Sequence, residues 1–225
     1  MNTLKNNLIK KIIFVSGTRA DFGKIKSLIL RMQKNNQFKV YVFVTGMHLI
    51  KAYGSTWDEI RKAKIKNIYK FKNQKINDKE DLIFSRTVIG FSKYAKKIKP
   101  DLVFVHGDRI EALATTVSSV LNSIKIAHIE GGEVSGTKDE ILRHAISKLV
   151  DFHFVSNNLA KKRLIQLGEN NKNIFVIGSP EVDLINNFKL PSLAVCKRRY
   201  GIKYKSYSVF IFHSATEEIK HIKRT

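Results

Sequence analysis

The sequence predicts an α/β fold built on a doubly wound parallel sheet. Short apolar runs rich in β-branched residues alternate with longer segments of helical period, a pattern typical of parallel strands joined by crossover helices. The runs are apolar almost throughout, so both faces of each strand are expected to be buried. With 43% hydrophobic and 27% charged residues over 225 positions, the composition is that of a folded chain of one or two domains.

The predicted elements alternate along the chain. Strands are predicted at 11–16, 39–44, 101–106, 125–129, 152–155 and 173–177. Helices are predicted at 23–35, 79–98, 110–121, 139–150 and 157–167. Pro100 matches the end of the second of these helices, because proline cannot continue a helix interior.

A further strand is predicted at 207–212 (YSVFIF), close to the end of the chain. It would either open a second domain or dock on the first sheet. We therefore expect one domain at 1–187, which carries the candidate site, and a segment at 188–225 that holds a linker and the incomplete start of a second domain.

Charge and cysteine content limit the function classes. The 41 Lys and Arg against 19 Asp and Glu give a net charge of +22, and seven basic residues without an acid lie in 61–75. These basic residues are interpreted as an ordinary solvated surface, with binding of an anionic ligand or polymer as the alternative. No zinc-finger spacing or RNA-binding signature predicts a specific nucleic acid partner. The single cysteine, Cys196, cannot form an intramolecular disulfide. No apolar run is long enough for a membrane span, and a cytoplasmic protein is expected.

Four polar clusters stand after predicted strands, at the edge where such sheets bind ligands. The first is the turn 17–23 (GTRADFG), in which glycines, a helix N-terminus and Arg19 form a candidate anion site. The alternative is a structural turn with Asp21 as the helix N-cap and Arg19 as its ion-pair partner. The glycine spacing of the dinucleotide-binding fingerprint is absent.

The remaining clusters supply carboxylates. Asp108 lies in the second, 106–111 (HGDRIE), and its structural alternative is a cap on the following helix. Glu130 lies in the third, 128–133 (HIEGGE), with a buried ion pair to Arg109 or Arg143 as the alternative. In the fourth, 136–145, Thr137 or Asp139 would start a helix that carries Arg143 and His144 one turn later.

Asp108, Glu130 and Asp139 are therefore expected at one sheet edge, where burial and mutual repulsion would raise the pKa of at least one of them. Such an arrangement suits an enzyme acting on a phosphorylated or nucleotide-linked substrate. No metal-ligand spacing of the HExxH kind is present.

The motifs that carry these clusters are similar in sequence and order to those of hydrolysing UDP-N-acetylglucosamine 2-epimerases, which make N-acetylmannosamine for sialic acid synthesis. They are SGTRADFGK (16–24), VTGMHLIKAYGSTWDEI (44–60), PDLVFVHGDRIEALA (100–114), AHIEGGEVSGTKDEILRHAISKL (127–149) and VIGSPEVDLI (176–185). Ala20 and Asp21 stand where the non-hydrolysing relatives carry proline and glutamate. A sister branch with the same motifs acts on UDP-linked diacetamido sugars of the legionaminic acid pathway.

The resemblance implies a fold and a set of roles. The family has two Rossmann-like domains facing across a cleft, the GT-B-like arrangement, and its reaction needs a UDP-sugar but no metal or other cofactor. A homo-oligomer is implied for a complete chain, and impaired turnover for a chain of this length. The implied catalytic residues are Asp108, Glu130, Asp139 and His213, and the implied substrate-binding residues are Arg19, Ala20, Asp21, His48, Arg109, Arg143 and His144.

Overall fold

The computed structural model describes residues 9–187 and 191–211, and a seven-stranded parallel sheet lies at its centre. The strands are β1 Lys10–Ser16, β2 Phe38–Val44, β3 Ile68–Lys70, β4 Leu102–His106, β5 Ile126–Ile129, β6 Phe152–Val155 and β7 Ile174–Val176. The helices are α1 Arg19–Gln33, α2 Trp57–Lys62, α3 Glu80–Ile98, α4 Ile110–Leu121, α5 Lys138–Leu149, α6 Asn158–Gln166, α7 Pro180–Asn187 and α8 Leu193–Arg199.

The strand order β3-β2-β1-β4-β5-β6-β7 confirms the doubly wound sheet. The chain adds strands in one direction from β1 to β3, then returns and adds β4 to β7 on the other side of β1. The strand order therefore reverses between β1 and β4, where Ile12 pairs with Leu102 and Phe14 with Phe104. This switch point is where the carboxyl ends of an open parallel sheet form a ligand crevice.

Helices cover both faces of the sheet, as the apolar strands predicted. On one face, Phe22, Ile25 and Ile29 of α1 pack against a core that includes Phe14 and Val42. On the other face, α3, α4 and α5 contribute residues to a second core built around alternate positions of the same strands. Each fully buried Phe or Ile contributes about 1.5–3 kcal/mol, so these two cores hold the strand ends, and the polar turns that follow them, in place.

The helix that follows β1 begins earlier than predicted, at Arg19 rather than at residue 23. Thr18 is its N-cap: the Thr18 side chain accepts a hydrogen bond from the backbone N–H of Asp21, and the Asp21 carboxylate accepts one from the backbone N–H of Thr18. Asp21 is thus the third helical residue of a capping box and not the N-cap itself, which corrects the structural alternative above.

The elements that were not predicted include two short ones between β2 and α3. Helix α2 has six residues, and β3 has three residues inside the lysine-rich stretch 61–75. Edge strands commonly carry charged side chains, and such charges mask the apolar alternation on which strand prediction depends. Within this stretch Lys70 Nζ lies 3.9 Å from the centroid of the Trp57 ring.

The strand predicted at 207–212 is wrong for the part that the structure describes. Residues 207–211 form no strand, and Val209 and Ile211 are 72% and 70% exposed. Strands are stabilised by hydrogen bonds to a neighbouring strand, and among the described residues none pairs with this segment. Its last residue, Phe212, lies outside the described residues.

The chain divides into two compact units, Met1–Asn186 and Asn187–Thr225. The first contains the whole sheet, and the second contains α8. No helix in the described part of the chain is both long and apolar enough to cross a membrane.

Candidate active site

The candidate site lies at the carboxyl ends of β1, β4 and β5. Three turns meet there: the one between β1 and α1, the one between β4 and α4, and the one that follows β5. The prediction that the polar clusters would share one sheet edge is confirmed by the strand order, because β1, β4 and β5 are neighbours.

Glu130 is the most heavily partnered carboxylate at this edge. Lys24 Nζ donates hydrogen bonds to both of its oxygens, at 3.1 and 2.8 Å. His106 Nε2 lies 3.0 Å from Oε2, and Ser179 Oγ donates to Oε1 at 3.1 Å. The alternative partners named from the sequence, Arg109 and Arg143, are therefore wrong for Glu130.

These contacts decide the charge of Glu130. Burial raises the pKa of its carboxyl, but the hydrogen bonds and charges of His106 and Lys24 outweigh burial and lower the pKa to about 2. The expectation of a raised pKa is thus reversed for Glu130, because its partners are cations rather than other carboxylates. It is a permanent anion at neutral pH and is unsuited to exchanging protons there.

The backbone of Glu130 is held in the left-handed region, with φ +61°. Residues other than glycine rarely adopt this backbone conformation, which costs of order 1–2 kcal/mol. Its N–H donates to the carbonyl of Phe154 at 2.9 Å, so β6 holds the residue in this position. In this position the Glu130 side chain contacts Lys24 of α1 and His106 of β4.

His106 connects Glu130 to the turn after β1. Its Nδ1 lies 3.5 Å from Asp21 Oδ1, and its side chain is only 9% exposed. Burial lowers the pKa of the imidazole, yet the neighbouring carboxylates of Asp21 and Glu130 raise it to about 9. His106 is therefore an imidazolium at neutral pH, held between two carboxylates.

Asp21 supports the turn rather than facing open space. Its Oδ2 accepts hydrogen bonds from the backbone N–H groups of Gly17 and Thr18, at 3.1 and 2.9 Å. Burial raises the pKa of Asp21, but the neighbouring His106, the charge of Arg109 and the hydrogen bond from the backbone N–H of Gly17 bring it below its usual value. The neighbouring Arg19 and Ala20 are exposed at the start of α1, accessible to a ligand.

Asp108 forms an ion pair with Arg143, whose Nη2 donates to Asp108 Oδ2. The Arg143 side chain is 10% exposed, and its Nη1 also donates to the carbonyl of Glu133 at 2.9 Å. The N-cap residue of α4 is Arg109, so the alternative prediction that Asp108 caps this helix is wrong. The pair ties the turn after β4 to α5.

Arg109 and Asp139 line a separate cavity of about 250 Å³ beside this cluster. Asp139 is exposed in the first turn of α5, while Thr137 is the N-cap residue. The cavity is also lined by Met47, Lys75 and Asp78. Asp139 therefore belongs to an open pocket, whereas Asp108 and Glu130 have cationic partners of their own.

His48, which was predicted to bind substrate, is a buried structural residue. Its side chain is fully buried in the 3-10 segment Gly46–Leu49. Its Nε2 lies 2.9 Å from Ser16 Oγ and its Nδ1 lies 2.8 Å from Thr56 Oγ1, and burial lowers its pKa to about 4. His48 is thus a neutral ring that ties the end of β1 to the loop after β2.

The two remaining predicted residues have different outcomes. His144 is 27% exposed, and its Nε2 lies 3.6 Å from Glu140 Oε1, one turn earlier on α5. His213 lies outside the described residues. Among the described residues no group of three or more His, Cys, Asp or Glu is arranged to hold a metal ion.

The sequence reasoning missed Lys24, His106 and Glu111 as members of the site. Lys24 and His106 lie inside motifs that had been singled out, but they are distant in sequence from Glu130. Glu111 lies in the first turn of α4, 1% exposed, and burial raises the pKa of its carboxyl. Glu111 is the last residue of the second polar cluster, 106–111, and that position was the signal for it.

The fold and this edge define a Rossmann-like α/β protein with charged side chains gathered at the switch point. Comparison with known proteins narrows the class. Residues 30–224 match the family model described as UDP-N-acetylglucosamine 2-epimerase, and the chain belongs to this family.

Two curated relatives are similar over nearly the whole chain. A UDP-N-acetylglucosamine 2-epimerase of Neisseria meningitidis serogroup B is 41% identical over 210 residues, which are 93% of this chain and 56% of that protein. A UDP-N,N'-diacetylbacillosamine 2-epimerase (hydrolyzing) of Legionella pneumophila is 36% identical over 220 residues, 96% of this chain and 58% of that protein. The chain thus spans little more than half the length of these relatives.

Solved structures give the same family. The crystal structure of UDP-GlcNAc 2-epimerase from Neisseria meningitidis bound to UDP-GlcNAc aligns with a TM-score of 0.71 and 25% identity, covering 86% of this chain and 50% of that one. Another UDP-N-acetylglucosamine 2-epimerase structure aligns with a TM-score of 0.73 and 26% identity, covering 84% and 54% of the two chains. The aligned part of this chain corresponds to about half of each of these chains.

Proposed function

We propose that this chain is the N-terminal half of a hydrolysing 2-epimerase that converts UDP-N-acetylglucosamine to N-acetylmannosamine and UDP. The observation that carries the proposal is the anionic Glu130, fixed by Lys24 and His106 at the switch point of the sheet. Membership of the family supports the substrate class. The hydrolysing branch is supported by Ala20 and Asp21 in the first turn and by the name of the Legionella pneumophila relative.

The proposed reaction starts with loss of the diphosphate, because the proton at C2 of the sugar is not flanked by a carbonyl and is barely acidic. The bond from C1 to the diphosphate oxygen breaks, and UDP takes the electron pair. A base then removes the C2 proton, which leaves a glycal with a double bond between C1 and C2. Water adds its oxygen to C1, and a proton returns to C2 from the opposite face, so that C2 is inverted.

Glu130 has an electrostatic role in this proposal. Positive charge develops at C1 as UDP departs, and a carboxylate held ionised and in place before the reaction stabilises such charge without reorganising. A carboxyl with a pKa of about 2 suits that role and is a poor general base near neutral pH. Proton exchange at C2 is therefore assigned to Asp108, Asp139 and His213.

Substrate binding is assigned to groups around the cluster. Arg19 and Ala20 lie at the N-terminus of α1, where unpaired backbone N–H groups favour an anion such as a diphosphate. Arg109 projects into the cavity of about 250 Å³ that Asp139 also lines. Arg143 and His144 on α5 would orient the sugar or the carboxylates, and Asp21 acts through the turn that it supports.

A second candidate substrate is UDP-N,N'-diacetylbacillosamine. It is favoured by the Legionella pneumophila relative at 36% identity and by a GDP/UDP-N,N'-diacetylbacillosamine 2-epimerase (hydrolyzing) of Campylobacter jejuni at 32% identity. The chemistry would be the same, with only the sugar substituents changed. In either case we propose a cytoplasmic enzyme of sialic acid-type sugar synthesis that forms a homo-oligomer when complete.

The test is proton NMR of the chain with UDP-N-acetylglucosamine in deuterated water, repeated with the diacetamido sugar. We expect UDP release together with N-acetylmannosamine that carries deuterium at C2, and no product from Glu130→Gln. Turnover by the chain alone is expected to be low, because it spans 56% of the Neisseria meningitidis relative. A parallel sample therefore contains the separately produced C-terminal half of that relative.

Three results would contradict the proposal in different ways. UDP release with retained C2 configuration would indicate simple hydrolysis or transfer. A reversible exchange between UDP-sugars, with no free sugar, would indicate a non-hydrolysing enzyme. If neither sugar reacts in either sample and the chain binds polyanions with a steep salt dependence, the net charge of +22 would instead indicate a non-catalytic anion-binding protein.

A further inference from the structure

Glu111 is a fully buried carboxyl that the proposed reaction does not use. It lies in the first turn of α4, 1% exposed, beneath the turns that contain Gly17 and Gly46. A Cβ atom added at Gly46 would lie 2.6 Å from Glu111 Oε1, and one added at Gly17 would lie 3.3 Å from Glu111 Cδ. The two turns therefore approach this carboxyl as closely as glycine allows.

The surroundings of Glu111 compensate a negative charge only weakly. Neither of its oxygens accepts a hydrogen bond from the described residues. The nearest cationic atom is Arg109 Nε, 3.6 Å from Oε2, on a side chain that is 36% exposed. A buried carboxylate in such a place loses the solvation of water without gaining the hydrogen bonds that normally replace it.

A second carboxyl lies across the same turn. A Cβ added at Gly17 would be 3.4 Å from Glu111 Oε2 and 3.5 Å from Asp21 Oδ2. Asp21 is ionised through His106 and the backbone N–H groups that it accepts from. Two buried carboxylates so close together repel each other, and the one without cationic hydrogen bonds is the one that takes up a proton.

We propose that Glu111 is a neutral carboxylic acid at physiological pH, and that its neutrality leaves the charge of Arg109 available for the diphosphate or another anionic group of the substrate. Glu111 is then a positioning residue: its packing against Gly17 and Gly46 holds the two turns, and it acts on the substrate only through Arg109. The part that concerns the substrate rests on the function proposed above. An ionised Glu111 would instead pair with Arg109 and cancel most of its charge.

Every charged group that acts on Glu111 has a defined effect. Burial raises the pKa of Glu111, Arg109 in its own turn lowers it, and Asp21 of α1 raises it. The 3-10 segment after β2 presents the backbone of Gly46 to the carboxyl. Raising the pH through the pKa of Glu111 is therefore expected to create the ion pair with Arg109 and to weaken anion binding.

The first experiment measures the protonation state directly, without any need for activity. The chain is labelled with ¹³C-glutamate, and the carboxyl resonance of Glu111 is identified by its loss in Glu111→Gln. We expect the chemical shift of a neutral acid at pH 7, and a titration displaced well above that of exposed glutamates. A resonance that has the shift of a carboxylate at pH 7 would overturn the proposal.

The second experiment measures UDP affinity as a function of pH by calorimetry, for wild type, Glu111→Gln and Arg109→Gln. Wild type is expected to lose about two- to fivefold in affinity as Glu111 ionises, the range of a partly exposed ion pair. Glu111→Gln keeps the neutral shape and should lack this step, whereas Arg109→Gln should bind weakly at every pH. The same pH step in Glu111→Gln as in wild type would refute the coupling to Arg109.

The two experiments separate the inference from the proposed function. If UDP does not bind even when the C-terminal half of the Neisseria meningitidis relative is present, but the Glu111 resonance is that of a neutral acid, the function proposed for this chain fails and the assignment of Glu111 stands. If UDP binds and Glu111 is ionised at pH 7, the assignment of Glu111 fails and the proposed function stands.

Discussion

Replacing His106 by glutamine is expected to remove a distinct pH dependence of stability. In the folded chain the imidazole lies between Asp21 and Glu130, and its pKa is raised from 6.5 to about 9. A group whose pKa is raised by folding stabilises the folded state fully below its unfolded pKa, and this contribution is lost as the pH rises through its folded pKa. The relevant window therefore runs from pH 6.5 to about pH 9.

The size of the effect follows from the two pKa values. A difference of roughly 2.5 between them corresponds to about 3 kcal/mol of unfolding free energy across this window. The side chain is 9% exposed, so screening by solvent does not reduce the figure much. The other buried histidines do not interfere, because His48 and His128 have lowered pKa values of about 4 and about 3, and their linkage acts below pH 6.5.

The assay is urea unfolding followed by circular dichroism at pH values between 6.5 and 9.5. Over this range wild type is expected to lose about 3 kcal/mol more than His106→Gln, which should be the less stable of the two at pH 6.5. His153→Gln is the matched control: His153 is also buried, but its pKa is lowered, so the slope above pH 7 should remain that of wild type. Equal slopes for wild type and His106→Gln would refute the assignment of a charged His106.

Three further predictions concern the turns that hold the site. Asp108→Asn leaves a buried guanidinium without its charged partner and should lower the unfolding free energy by about 2 kcal/mol in thermal or urea unfolding. Gly46→Ala combines a left-handed φ of +62° with neighbouring atoms at 2.6 Å, so it should lower the unfolding free energy by about 3 kcal/mol or more. Gly136 has a similar φ of +67° but no atom within 4 Å, so Gly136→Ala should lower it by only about 1 kcal/mol. Equal losses for the two variants would contradict the steric argument. Thr18→Ala removes a capping hydrogen bond and should cost about 1 kcal/mol, whereas Thr137→Ala, whose side chain makes no such bond, should change stability by less than half as much in the same assay.

The positions of Asp108 and Glu130 could be predicted because each lies just after an apolar strand. In a parallel sheet the carboxyl ends of all strands lie at one edge, so Asp108 and Glu130 had to share that edge once the strands were recognised. Their partners were not predictable in the same way. Lys24 and Glu130 are separated by 106 residues, and no pattern of spacing pairs one lysine among many with one carboxylate.

Charge states were the least predictable property. The sequence shows three acidic residues at one edge and suggests repulsion, but the structure surrounds Glu130 with Lys24 and His106, and its pKa falls instead of rising. Among the acidic residues at this edge the carboxyl with a raised pKa is that of Glu111, which is buried beneath the turns that contain Gly17 and Gly46. A pKa depends on which groups lie within a few ångströms, and that is a property of packing.

The sequence by itself determined the α/β class, most of the strands and helices, and the edge at which polar residues gather, because these depend on local periodicity and on the geometry common to all parallel sheets. Only the tertiary structure decided that His48 is buried and structural, that Asp108 pairs with Arg143, and that His106 joins Asp21 to Glu130. The physical reason is that hydrogen bonds, desolvation and charge pairing act over a few ångströms between residues far apart in the chain, and the fold alone brings those residues together.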